Sequence, residues 1–138
     1  MVQHLVGFLT LAGRVALSAV FIGAGVNKVI DRSRTLAYMQ AAGMPAEHVG
    51  LLLNGAIVFL LVGGALLATG LLGRLGAALL VVFLIPATLI FHNFWAYDGQ
   101  DPQFRAQMIQ FQKNLAMAGA LLIVLARGSG PWSLRVPR

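Results

Sequence analysis

Two long apolar runs meet at a short turn in residues 49–95, VGLLLNGAIVFLLVGGALLATGLLGRLGAALLVVFLIPATLIFHNFW. Neither the run over 49–69 nor the run over 75–95 contains an Asp, Glu, Lys or Arg. Each has about 20 residues, the length that an α-helix needs to cross the hydrocarbon core of a bilayer. The turn over 70–74, GLLGR, is short and bounded by glycine, as in antiparallel helical hairpins. We therefore predict two membrane spans, over residues 49–69 and 75–95.

Two further spans flank this hairpin. The run over residues 5–26 contains one charge, Arg14, and has neither the basic leader nor the small-residue cleavage site of a signal peptide, so we interpret it as a retained helix. The last apolar run, over 115–126, corresponds to about 18 Å of helix and must extend back to about residue 108 to cross. The segment between spans one and two is too polar to cross, and it predicts a short interfacial helix that begins near Ser33.

These spans predict an all-α fold, an antiparallel transmembrane four-helix bundle that forms a single domain over residues 1–138. The composition agrees, because 59% of the residues are hydrophobic and only 10% are charged, against about 25% charged in soluble domains. The chain has no cysteine, which excludes disulfides, thiolate nucleophiles and cysteine-ligated clusters. The net charge is +6, but the basic residues are scattered singly, so we expect a lipid membrane and not a nucleic acid as the partner.

The orientation of the bundle depends on the charges at its two ends. Four spans place both termini and the 70–74 turn on one side of the membrane and the other loops on the opposite side. The basic residues divide equally: Arg14, Arg74, Arg127, Arg135 and Arg138 on the first side, and Lys28, Arg32, Arg34, Arg105 and Lys113 on the second. All four acids, Asp31, Glu47, Asp98 and Asp101, fall on the second side. The positive-inside rule alone does not decide, and we expect the termini to be cytoplasmic.

Small residues also mark one face of the first span. Ala12, Ala16, Ala19 and Gly23 follow helical spacing, so they lie on one side of the helix. Small residues let two membrane helices approach closely. We therefore predict that this face is a packing surface.

Polar residues from all four spans collect at one end of the predicted bundle. Ionisable groups at membrane depth cost about 2.5–3.5 kcal/mol each on insertion scales, so they usually face the interior and need a partner. The antiparallel arrangement predicts that six polar residues, three of them ionisable, lie at the same depth and form a ligand pocket: Lys28, Asn54, His92, Asn93, Lys113 and Asn114.

Each of these residues also has a purely structural interpretation. Long basic chains near helix ends often extend to the interface, which applies to Lys28 and Lys113. The His92 imidazole suits proton exchange with a ligand, but it equally suits a hydrogen bond in the core. The asparagines are also typical of interhelical hydrogen bonds. We interpret Arg14 as a structural charge, and four aromatic residues are more typical of an interfacial belt than of a stacking site: Phe91, Phe94, Trp95 and Tyr97.

Several kinds of active site are not encoded. Haem ligation by two histidines and a histidine-rich metal site both fail because only His92 lies within a span, with His48 at an edge and His4 at the opposite end. No glycine-rich phosphate loop, Ser/His/Asp arrangement or pair of intramembrane carboxylates occurs. We therefore expect no metal and no covalent cofactor, and we find no self-contained catalytic motif.

The order of short motifs resembles the DoxX family of small four-helix membrane proteins. The resemblance covers residues 13–133 and depends on the combined order and spacing of these motifs: Gly13-Arg14, Gly25-x-x-Lys28, Ala42-Gly43-Met44-Pro45, Gly63-Gly64, Gly70, Gly73-Arg74, His92-x-Phe94, Lys113-Asn114-Leu115 and Gly128-x-Gly130-x-x-Ser133.

This resemblance implies a multi-pass protein of the bacterial cytoplasmic membrane. It also implies an association with quinone-linked oxidoreductase systems and with membrane complexes that handle oxidative or thiol stress. The family's lysine of the first span matches Lys28, its Lys-Asn pair matches Lys113-Asn114, and His92 falls at a recurrent polar position. Asn54 departs from the pattern, since many relatives carry a carboxylate there and an amide cannot take over the proton-accepting role of a carboxylate.

Three functions remain open at this point. The first is a redox-associated subunit that binds a quinone or another small hydrophobic ligand, with Lys28, His92 or Lys113 at its head group. The second is a non-catalytic membrane scaffold or partner subunit in a protein complex, with the polar residues only joining helices. The third is a small-solute transporter, which would need to form a homo-oligomer because four spans show neither an inverted repeat nor an intramembrane acid.

Overall fold

A computed structural model describes residues 1–134 of the chain as helices joined by short loops. The elements are α1 (Val2–Ile30), α2 (Arg32–Ala41), α3 (Ala46–Thr69), α4 (Gly73–Phe91), one 3-10 turn (Phe94–Ala96) and α5 (Pro102–Arg127). The four helices α1, α3, α4 and α5 are long and apolar enough to cross a membrane. The all-α, four-span architecture is therefore confirmed, with α2 as the short helix between the first two spans. Arg135 and Arg138 lie outside the described residues.

Local signals explain where the last span begins. Asp101 precedes α5, and its carboxylate accepts a hydrogen bond from the backbone N–H of Gln103 at 2.8 Å. Pro102 occupies the first turn, where a missing N–H costs nothing. With this start, α5 has 26 residues and begins six residues before the expected limit near residue 108. The Asp101 cap and Pro102 explain why the polar first half of α5 is helical.

The spans pack in a row of neighbours. α1 packs against α3, α3 against α4, and α4 against α5, while α2 lies against α3 and α1. Both termini of the helical region and the turn after α3 share one end, here called the terminal end. The connections over residues 31–45, which include α2, and over residues 92–101 form the opposite end, here called the loop end. The main core is made by six large buried side chains: Phe21, Leu60, Leu67, Leu80, Leu84 and Leu121.

Glycines let α3 approach both of its neighbours closely. A Cβ atom added to Gly76 of α4 would lie 2.8 Å from the carbonyl oxygen of Gly63 on α3. On the other side, a Cβ atom at Gly64 would lie 2.6 Å from Ile22 of α1. Such small residues are typical of membrane helix interfaces, because lipid is as apolar as the side chains and gives helices no hydrophobic reason to associate.

The face that α1 buries differs from the predicted one. Ala12, Ala16, Ala19 and Gly23 are all exposed on the single chain, so no helix of this bundle covers the predicted packing surface, and its packing stays a prediction. The buried residues of α1 are Gly7, Arg14, Ser18, Phe21 and Gly25. α1 buries this face because it combines a close contact to α3 at Gly25 with hydrogen bonding at Arg14.

Arg14 fastens the segment that follows α5 to the terminal end. Its guanidinium is only 3% exposed and donates to Ser129 O at 2.9 Å and to Trp132 O at 2.8 Å. Ser129 Oγ in turn donates to Gly70 O at 2.8 Å. Since Gly70 directly follows α3 and Ser129 lies two residues after the end of α5, the partial negative charge of these helix ends favours the buried cation. The segment over residues 128–134 therefore closes this end of the bundle.

We predict that Gly76→Ala destabilises the bundle. The added methyl group meets backbone atoms of α3, which cannot move aside as a flexible side chain can. The two helices must therefore separate, at a cost of about 1–3 kcal/mol in the free energy of unfolding. The midpoint of thermal unfolding in a mild detergent should fall by several degrees. The matched control is Gly119→Ala on α5, where nothing lies within 4 Å of the added atom. An equal or higher midpoint for Gly76→Ala than for wild type would contradict the close contact.

We also predict that Arg14→Met releases the segment after α5. The substitution leaves two carbonyl groups without their charged donor, and each such hydrogen bond is worth about 1.5–3 kcal/mol. Trypsin should then cleave after Arg127 faster than in wild type, with the released peptide measured by mass spectrometry. Arg74→Met is the control, because Arg74 makes one exposed bond, to Ala126 O at 3.1 Å. Unchanged cleavage in Arg14→Met would show that Arg14 does not hold the segment.

Candidate functional site

A cavity of about 340 Å³ lies among the four spans towards the loop end. All four spans contribute to its lining, and α2 lies beside it with Thr35, Tyr38 and Met39. The walls are apolar for most of their extent, and their apolar side chains include Phe21, Leu53, Leu60, Phe83, Leu84 and Met117. This is the kind of concave, mostly apolar space in which proteins bind small molecules.

Four of the six residues predicted for a polar pocket line this cavity: Lys28, His92, Lys113 and Asn114. Lys28 and His92 are half-buried, Asn114 is buried and Lys113 is exposed. The other two do not line it. Asn54 is exposed on α3, because its neighbour Leu53 takes the inward position, and Asn93 is half-buried in the turn after α4.

A short chain of hydrogen bonds crosses from α5 to α4 at the cavity wall. Asn114 Nδ2 donates to Thr88 Oγ1 at 3.0 Å, and Thr88 Oγ1 donates to Leu84 O at 2.6 Å. Both side chains are buried, so the bonds are shielded from water. Asn114 therefore has a role in helix packing as well as a place in the cavity lining.

Two more hydrogen bonds hold polar side chains near the cavity. His92 Nδ1 lies 2.8 Å from Gln107 Oε1, which joins the end of α4 to α5. With the amide oxygen as acceptor, Nδ1 carries the proton and Nε2 of the neutral ring is an acceptor. Lys113 Nζ donates to Gln110 Oε1 one turn earlier on α5. Both partners are neutral, so neither interaction supplies a counter-charge.

The polar part of the cavity has cations and no carboxylate. Lys28 and Lys113 contribute two amines, and among the described residues 1–134 no Asp or Glu lines the cavity. Within residues 1–134, the one ion pair joins His48 to Glu47, at 3.7 Å between Nε2 and Oε1 on the exposed start of α3. The lining therefore offers strong hydrogen-bond donors to any oxygen atom that enters.

Tyr38 on α2 covers part of the cavity at the loop end. Its ring stacks on Phe91 of α4, with 5.2 Å between the ring centroids and 24° between the planes. Burial raises the pKa of the Tyr38 phenol, and the nearby Tyr97 raises it further, so the hydroxyl group keeps its proton at neutral pH. α2 is anchored beside it by the buried Met39, which packs against Val49 and Leu53.

The other aromatic residues of this end form a packed cluster. Phe94 meets Trp95, Phe104 and Phe111 edge to face, at centroid distances of 5.3, 5.7 and 5.3 Å. These contacts attach the 3-10 turn to α5. Of the four residues expected in an interfacial belt, Phe94 and Trp95 therefore pack on α5, and Phe91 packs on α2.

Sequence reasoning missed Tyr38 and Thr88 as lining or supporting residues. Thr88 could have been found from the sequence, because it is the one hydroxyl-bearing residue in the apolar run over 75–95. Tyr38 lies on a short polar helix, and nothing in its spacing indicates that it would stack on a residue 53 positions later.

The fold and the cavity define a small polytopic membrane protein with four spans. The DoxX family model matches residues 9–93, which is more than half of the chain. The chain belongs to the DoxX family. Two relatives from Escherichia coli, the inner membrane proteins YphA and YqjF, are each 29% identical to it, over 91% and 90% of this chain and 87% of each relative. No solved structure gives a significant match.

These comparisons agree with the membrane assignment. The relatives are inner membrane proteins, and this chain, with four helices able to cross a bilayer, is a multi-pass protein of the same membrane. The family match covers α1 from residue 9 onward, α2, α3 and α4, with Lys28 and His92, and it ends at Asn93. Lys113 and Asn114 lie beyond it. Which side of the membrane holds the termini remains a prediction.

Proposed function

We propose that the protein binds a quinone, or a similar lipophilic molecule with a polar head group, as a redox-associated subunit of a membrane oxidoreductase system. The observation that carries this proposal is one cavity in which apolar walls from four spans meet Lys28, His92, Lys113 and Asn114. Ligand sites in proteins have this composition, an apolar enclosure with a few polar groups that orient the ligand.

The size and chemistry of the cavity suit a quinone head group. About 340 Å³ is at the lower end of the range for small-molecule pockets, which fits a single ring with the start of its tail. A quinone ring has two carbonyl oxygens, which accept hydrogen bonds, and Lys28 and Lys113 are donors. Its flat apolar ring is suited to contacts with Phe21, Phe83 and Met117 of the walls.

The lysines give a physical reason for a ligand. A charged amine close to membrane depth costs free energy unless something stabilises it. Lys113 has only the neutral Gln110, and no carboxylate lines the cavity beside Lys28 or Lys113. Ligand oxygens near these amines would supply hydrogen bonds that the chain itself does not provide.

His92 is the residue we assign to proton exchange with the head group. Imidazole gains and loses a proton near neutral pH, and reduction of a quinone to a quinol requires protons on its two oxygens. In this proposal the chain binds and orients the head group, and a partner protein supplies the electrons. The proposal therefore includes a partner subunit.

A scaffold function is the second candidate, and one observation favours it. The small-residue face of α1 (Ala12, Ala16, Ala19 and Gly23) is exposed in the single chain and has no neighbour within 4 Å at Gly23. Such a face suits close contact with another membrane helix, from a partner protein or from a second copy. Under this alternative, substitutions in the cavity would change stability and leave ligand binding untouched.

The test is quinone binding by cavity variants. We predict that purified protein binds a short-tailed quinone, and that Lys113→Ala raises the Kd about 5- to 10-fold, since the amine donates a charged hydrogen bond at a partly exposed position. His92→Ala should raise it about 2- to 10-fold, the effect of one neutral hydrogen bond. Equilibrium titration in detergent or nanodiscs measures both.

Asn54→Ala is the matched control, because Asn54 is a polar residue of the same end that does not line the cavity. Its Kd should equal the wild-type value. Equal affinities for wild type, Lys113→Ala and His92→Ala would refute the assignment of these residues to the head group. A cavity that binds no quinone while a partner protein co-purifies would favour the scaffold function.

A further inference from the structure

Hydrogen bonds around Thr88 determine which end of the Asn114 amide is available to the cavity. Thr88 Oγ1 lies 2.6 Å from Leu84 O, a distance at which the hydroxyl group must place its proton between the two oxygens. A hydroxyl group has one proton, so Thr88 is left as an acceptor towards Asn114. Asn114 therefore directs its NH₂ group to Thr88, at 3.0 Å, and keeps its oxygen free.

The free oxygen of Asn114 is not sealed off, and its residue lines the cavity. Within residues 1–134, Asn114 Oδ1 accepts no hydrogen bond, and the buried side-chain atoms without a partner are Arg14 Nε and Ser18 Oγ. Because Oδ1 is not one of these sealed atoms and Asn114 lines the cavity, an occupant can reach it. The amide cannot rotate to present its nitrogen instead, because that would set its oxygen against the oxygen of Thr88.

We propose that Asn114 is a fixed hydrogen-bond acceptor that makes the cavity select head groups bearing a hydroxyl group, with Thr88 as the positioning residue. The inference rests on the proposed function, since it concerns the ligand of the same cavity. Lys28 and Lys113 donate to an oxygen of any head group, whereas a carbonyl or ether oxygen opposite Asn114 Oδ1 leaves two acceptors facing each other. Among quinone-type ligands, the hydroxylated quinol is therefore bound more tightly than the quinone with the same tail.

Two probes test this selection without redox chemistry, and they differ only in that a methyl group replaces the hydroxyl proton in one of them. The probes are 4-decylphenol and its methyl ether, each titrated into wild-type protein in nanodiscs. We predict that the phenol binds about 2- to 10-fold more tightly, which is the range for one neutral hydrogen bond. Equal affinities of the two probes in wild type would overturn the inference while leaving the proposed function intact.

Thr88 variants test the positioning role. Thr88→Val removes the hydroxyl group that orients Asn114 and keeps a similar volume, so the preference for the phenol should fall to less than half of its wild-type value. Thr88→Ser keeps the hydroxyl group and should restore the wild-type preference. The ratio of the two affinities is the readout, because a general loss of stability would weaken both probes together.

The remaining outcomes are equally decisive. An undiminished preference in Thr88→Val would refute the positioning of Asn114 by Thr88. If Thr88→Val does not fold, the comparison of wild type with Asn114→Ala decides, since Asn114→Ala should also lose the preference. Failure of both probes to bind wild-type protein would contradict the proposed function, and with it this inference.

Discussion

The bundle depends on the close approach of α3 to its two neighbours. In a bilayer, apolar surface gains nothing by leaving lipid for another apolar helix, so helices associate through packing and hydrogen bonds. Gly63 and Gly64 supply that packing, one against Gly76 of α4 and the other against Ile22 of α1. Together with the bonds from Arg14 to the segment after α5, these contacts hold the terminal end.

Tight packing in one half of α3 is accompanied by a cavity in the other half. The glycine contacts lie at residues 63 and 64, whereas the cavity is lined by Leu53, Ala56 and Leu60, nearer the loop end. The polar residues of the cavity belong to the same half. The fold is thus divided between a terminal end that provides stability and a loop end that has space, cations and hydrogen-bonding groups.

Much of this arrangement could be predicted from the sequence, and the reason is physical. Hydropathy and length determine which segments cross a bilayer. Because successive spans run in opposite directions, Lys28, His92 and Lys113 then lie at one end of the bundle. The rotation of each helix was harder to predict. Asn54 and Leu53 are neighbours in sequence, and only tertiary packing, here against Met39 of α2, decides which of them faces inward. The same limit applies to the small-residue face of α1, because small residues permit close approach to any helix and do not indicate which helix packs there.

Some contacts between residues far apart in the sequence could not be predicted at all. Arg14 lies 115 and 118 positions from the residues whose carbonyls it binds, and no periodic pattern links a mid-span arginine to a segment after the last helix. The stacking of Tyr38 on Phe91 has the same character. These contacts depend on the finished fold, which sets the distances between loops that share an end of the bundle.

The central claim is that the cavity at the loop end holds a lipophilic molecule. Mass spectrometry of the small molecules retained by gently extracted protein tests it most directly, with Ala87→Phe as the comparison, because Ala87 lines the cavity and a phenyl ring there would fill it. The account predicts a quinone or a chemically similar compound in wild-type protein and its loss from Ala87→Phe with the fold retained. Equal retention by both proteins, or no retained compound in wild type, would contradict it.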